Sequence, residues 1–169
     1  MNDKTKTIAL FAKTALILYL IRFGLSLLIE LFPKPVIALL GGHEDAAAAA
    51  VRSDALFRFL PLFCSAAVFL VCWYLVQKSV KSNTRESAGF ALTVILVVLV
   101  LNPVATLFAD RFSVLLLAHG AGSDDLAAYS LMKTAEGYVS LISDISYPLL
   151  TAAAAMNWYR CRYAGSEAQ

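Results

Sequence analysis

Four long apolar runs decide what this chain can fold into. They cover about residues 8–32, 55–77, 88–109 and 138–160. Each offers roughly 20 residues or more, enough for a tilted crossing of a hydrocarbon core ~30 Å thick. Only a helix satisfies its own backbone N–H and C=O groups as a single segment in lipid, so the runs read as helices, not strands. The predicted fold class is therefore all-α: a polytopic membrane protein, a four-transmembrane-helix bundle with short helical segments in its outer loops. Residues 1–169 are expected to form a single integral membrane domain. Composition agrees, with 60% hydrophobic and 15% charged residues, against about half and about a quarter in soluble domains. A formal net charge of +2 is too small to point to nucleic acid.

The charges matter by position. Lys4 and Lys6 precede the first run, Lys78, Lys81 and Arg85 lie between the second and third, and Arg160 and Arg162 close the fourth. The other side holds Lys34, Arg52, Arg111 and Lys133 in longer loops, together with most of the acids. Cytoplasmic loops carry the excess of Lys and Arg. Both termini are thus expected in the cytoplasm and the acidic loops outside. Basic residues before an apolar run also open a signal peptide, but this run continues to Phe32 without a small-residue cleavage site, so an uncleaved first span is expected. The compact plan, without N-x-S/T acceptors, suits an inner (cytoplasmic) membrane.

Pro33 and Pro35 end the first span. In the first outer loop Glu44 and Asp45 precede an alanine run, which is good helix chemistry with acids at the positive end. In the third, Ser123 is placed to cap a helix running toward span four, and the segment 111–120 is expected either to prolong span three or to lie at the interface. Spans two and four share a faint pattern of proline, small residues and then Trp-Tyr (Pro61 to Trp73–Tyr74, Pro148 to Trp158–Tyr159). It reads either as a helical-hairpin duplication or as interfacial aromatic anchoring.

Ionisable and polar groups inside the runs are the candidate site. Arg22 lies about 15 Å and Asp144 about 9 Å below the outer ends of spans one and four at helical rise. Either charge alone in hydrocarbon costs about 3 kcal/mol or more, so an Arg22–Asp144 pair is expected. Arg22, Ser26 and Glu30 recur every four residues; Asp144, Tyr147 and Thr151 recur at three or four, so each set shares a helix face. Pro148 removes the helical partner of the Asp144 carbonyl, and Pro103, beside Asn102, does the same for Leu99. Two readings of this seam stay open: a ligand or proton site of the kind carriers build from broken helices, or polar glue that fixes helix register.

Other features carry less. The run 152–155, all alanine, allows close helix approach. Cys64, Cys72 and Cys161 read as free thiols, buried by default. His43 and His119 sit near acids, but not at the spacing of a zinc site, so no metal and no cofactor is implied. No HExxH, GxSxG or paired-carboxylate signature occurs, so no catalytic residue is expected and the chain is read as a non-enzyme. The expected role is that of a small accessory or interaction protein. Its partners would be the lipid bilayer, other membrane proteins or a second copy of itself. The alternative is a small transporter or channel working at Arg22 and Asp144.

Overall fold

The structure is a computed structural model. It describes the backbone of residues 3–52, 55–120, 123–143 and 145–163; the side chains of 52, 55–58, 109–110, 112–114, 116–120, 123 and 142–143 also fall outside the description. The described residues are all-α. They form α1 (Asp3–Leu31), α2 (Pro33–Leu39), α3 (Glu44–Arg52), α4 (Ala55–Ser82), α5 (Arg85–Gly120), α6 (Ser123–Ser143) and α7 (Ser146–Tyr163). Four stretches are long and apolar enough to cross a membrane: Asp3–Leu31, Phe59–Ser82, Arg85–Phe108 and Asp124–Tyr163. Their outer faces remain apolar: Ile17 on α1, Val71 on α4, Val100 and Leu107 on α5 and Leu141 on α6 are exposed. A water-soluble monomer seldom exposes large apolar side chains along so many of its helices. Lipid is the surrounding that such faces suit.

One difference from the sequence expectation concerns helix length. The fourth run, read as one helix over 138–160, is split between α6 and α7. Pro148 supplies the reason. Its ring would clash with the carbonyl four residues earlier, at position 144, and it has no N–H to bond there. Counted from Ser146, Pro148 instead occupies the first turn of a new helix, where a missing N–H costs nothing. The helix ladder resumes at once, with Leu149 N donating to Ile145 O at 3.0 Å. For the third helix, the segment after the span at 88–109 takes the first of its two expected courses and prolongs the helix to Gly120. At 36 residues it is about 54 Å long, and it carries Pro103 in its interior.

The chain divides into two compact units; α1, α4 and α5 contribute to both, as does α6 through its last residue, Ser143. Unit one comprises Met1–Leu20, Ala66–Asn102 and Ser143–Gln169. Its buried residues follow one rule. Ile8, Ala12, Ala15 and Tyr19 on α1 are spaced 4-3-4; Phe69, Cys72, Val76 and Ser79 on α4 are spaced 3-4-3; Ala88, Ala91 and Ile95 on α5 are spaced 3-4; Tyr147, Leu150, Ala154 and Asn157 on α7 are spaced 3-4-3. Alternating threes and fours average 3.5, so each helix presents one narrow stripe to the others, as in a four-helix bundle. Alanine holds many of these positions, letting backbones approach closely where dispersion replaces the hydrophobic effect. Ala153 and Ala154 are both buried in this unit, so that part of the alanine run packs inside the protein.

Unit two comprises Ile21–Ser65 and Pro103–Ile142. Here α2 and α3 form a cap. Pro33 starts α2, with Phe32 at φ −122° and ψ 58° making the corner. Gly41 takes φ +78° in the turn toward α3, a conformation open to glycine at little cost. Ile37 of α2 is the hub, packed with Ala46, Ala49 and Ala50 of α3 and Ala128, Leu131 and Met132 of α6. Lower on the same unit, Phe23 and Phe63 meet edge to face at 5.8 Å.

Charge separates with the units. Unit one contains eight Lys or Arg against four Asp or Glu, a formal +4; unit two contains six against eight, a formal −2.

Candidate intramembrane polar site

The residues expected to form the seam fall in both units. Arg22, Ser26 and Glu30 belong to unit two; Asn102, Tyr147 and Thr151 belong to unit one. Asp144 lies outside the described residues, and with it the proposed Arg22–Asp144 pair. On α1 the spacing argument meets a clear pattern: Ser26 and Glu30 are 7% and 6% exposed, while Arg22 is half-buried. A carboxylate-bearing residue kept from the surface of a membrane helix is a costly placement and marks an inward face. On α7 Tyr147 is buried, and Thr151 Oγ1 donates back to Tyr147 O at 2.8 Å, the local bond a helical threonine makes when no better acceptor is in reach. Asn102 is exposed on α5. At the start of α7, Ser146 is fully buried, and its Oγ has no hydrogen-bond partner among the described residues.

Tyr147 joins an aromatic cluster inside unit one. Tyr19 and Phe69 stack with ring centroids 3.9 Å apart, and Tyr147 meets each of them edge-on, at 6.3 and 5.2 Å. Three helices, α1, α4 and α7, are thereby tied at one level. Edge-to-face contacts of this kind add to the area that they bury.

The most developed polar arrangement is one that the seam argument passed over. Arg160 Nη2 donates to Asn157 Oδ1 at 2.9 Å; Asn157 Nδ2 donates to Ser79 Oγ at 2.9 Å; Ser79 Oγ donates to Val76 O at 2.8 Å. Arg160 also donates to Asn83 Oδ1 at 2.9 Å and to Thr5 Oγ1. Asn157 and Ser79 are fully buried. A single guanidinium therefore holds α1, the α4–α5 link and its own helix. Its planar fork of donors suits it to several acceptors at once. Asn83, at φ +53°, takes the left-handed conformation that asparagine tolerates better than most residues. In the sequence Arg160 served only to set orientation. The signal that would have found the rest is the 3-4-3 register, which puts Asn157 and Ser79 on buried stripes.

Trp73 and Trp158 occupy matching places. Trp73 Nε1 on α4 donates to Ala12 O of α1 at 3.1 Å. The Trp158 ring on α7 lies against Gly89 of α5, where an added Cβ would sit 3.7 Å from the indole. In each case a tryptophan of a returning helix packs against a small residue of the helix that begins its hairpin. Each indole thereby has a packing role besides any interfacial anchoring.

Among the thiols, Cys72 is buried and Cys161 half-buried, but Cys64 is exposed; that one departs from the expectation of burial because it faces away from the stripe begun by Phe69. His43 is exposed beside Glu44 and Asp45 in an open depression that Lys34 also lines. The side chain of His119 is outside the described residues. Compared with known protein families, with curated proteins and with solved structures, the chain matches none.

Proposed function

We propose that this chain is an accessory protein of the cytoplasmic (inner) membrane, one integral domain with both termini inside, acting through contacts with other membrane proteins or a second copy of itself rather than by catalysis. What carries this reading is the way unit one uses its polar groups. Arg160, Asn157, Ser79, Asn83 and Thr5 are bonded to one another or to backbone, which favours a fixed scaffold over a water-filled path. The orientation is supported by Lys4, Lys6, Lys78, Lys81, Arg85, Arg160 and Arg162 beside the span ends on one side, against Lys34, Arg52, Arg111 and Lys133 in the longer loops of the other, under the positive-inside rule. The test is extraction of the tagged full chain in mild detergent followed by identification of what co-purifies. A stoichiometric membrane partner or a homodimer is expected. Recovery only as a monomer from membranes at native abundance would refute the reading.

A second reading, a small transporter or channel at the seam, is favoured by the buried Ser26 and Glu30 on α1. Its test is solute or proton flux into vesicles holding the purified protein. Flux abolished by Glu30→Gln or Asp144→Asn, with folding intact, would displace the accessory reading. The Arg22–Asp144 pair has its own check: Asp144→Ala should lower the yield of folded protein, and Arg22→Ala added to it should restore the yield.

A further inference from the structure

We propose that the Ser82 end of α4 binds the headgroup of one anionic phospholipid. Tyr74, Gln77, Lys78 and Lys81 stand at i, i+3, i+4 and i+7, so they form one continuous stripe on the helix. With Trp73 they line an open groove of about 260 Å³. That volume suits a headgroup, not a whole lipid. The stripe changes character along its length: aromatic at Trp73 and Tyr74, amide at Gln77, cationic at Lys78 and Lys81. Its ligand should change in the same order, with an apolar chain toward the aromatics and a phosphate toward the ammonium groups. A free phosphate would leave the aromatic half idle.

Two observations argue that the cations are available. Both lysines are exposed, and among the described residues neither has a carboxylate partner. The related cation on α7 is spent differently: Arg162 lies over the rings of Trp158, at 5.1 Å, and Tyr163, at 5.8 Å. The aromatic wall is also fixed in place, because the Trp73 indole N–H is already donated to Ala12 O. A groove whose wall is held and whose charges are unspent costs little to fill. The cytoplasmic leaflet is where anionic lipids meet basic residues at the ends of spans.

This site rests on the reading that α4 spans the membrane with Ser82 at its cytoplasmic face, so the experiment separates the two. Membranes are first washed with carbonate at high pH. Release of the full-length chain into the supernatant would overturn both the spanning reading and the site. Protein kept in the pellet is purified in detergent, and its retention of phosphatidylglycerol and of phosphatidylcholine with the same acyl chains is compared by native mass spectrometry. Retention of phosphatidylglycerol is expected to be selective and to weaken about thirty-fold in Lys78→Gln/Lys81→Gln, from about 1 kcal/mol per basic residue. The control Lys34→Gln/Lys133→Gln, with the same loss of charge, should bind as the parent does. Equal retention of the two lipids, equal losses in the two double variants, or full displacement by inorganic phosphate would each overturn the site while leaving the spans standing.

Discussion

Replacing Asn157 with alanine tests whether the buried polar chain holds unit one together. The substitution removes the acceptor of an Arg160 N–H and the donor to Ser79 Oγ, at 2.9 Å each. A neutral hydrogen bond contributes about 1 kcal/mol net and one to a charged group about 1.5–3 kcal/mol. The gain offsetting this is that one side-chain amide no longer needs to be desolvated. Arg160 also keeps Asn83 and Thr5, and Ser79 keeps Val76 O, so neither partner is stranded. The lower end applies, about 2 kcal/mol in all. For a chain of this size that is a fall in melting temperature of about 4–8 °C. The assay is thermal or denaturant unfolding in a single detergent, with Ser79→Ala and the double variant completing a cycle. A coupling of about 0.6–1.7 kcal/mol between the two positions is expected from membrane helix hydrogen bonds. Asn157→Ala within about 0.5 kcal/mol of the parent, or zero coupling with Ser79, would refute the claim that this chain is structural.

Other outcomes follow from the packing. Phe69→Ala removes the fully buried ring shared by Tyr19 and Tyr147 and should cost about 3–5 kcal/mol, read by the same unfolding assay. Gly42→Ala puts a Cβ into Ile37 Cγ2 and 2.6 Å from Leu131 Cδ1, with Ile37 O only 3.1 Å away; overpacking of about 1–3 kcal/mol should raise protease sensitivity in the α2–α3 cap and leave unit one unchanged. A reporter active only in the cytoplasm, fused to the carboxyl end, should be active, and the same reporter placed in the loop before α3 should be silent; the reverse pattern overturns the orientation.

The architecture was legible because one physical demand, backbone satisfaction in lipid, leaves few choices for 20-residue apolar runs. The proline stop at Pro33 and the acidic start at Glu44–Asp45 were legible for local reasons. What escaped were features needing a third dimension. The sequence marks Pro148 as an interruption of helix bonding, but not that a new helix, α7, starts two residues before it. The seam was sought among charged residues at depth, while the bonded chain at Asn157 hides in a run of small neutral residues. Its partners Thr5, Ser79 and Asn83 are far from α7 in sequence, and nothing local marks them as its neighbours.

Only Asn83 and Thr84 separate α4 from α5, and the first of these is also gripped by Arg160. The hairpin is thus latched at its closed end twice, once by its own brevity and once by a side chain from the last helix. An epitope inserted there would lengthen the tether and pull away the handhold together. The turn between α2 and α3 is no easier place, because Gly42 there lies against Leu131 of α6.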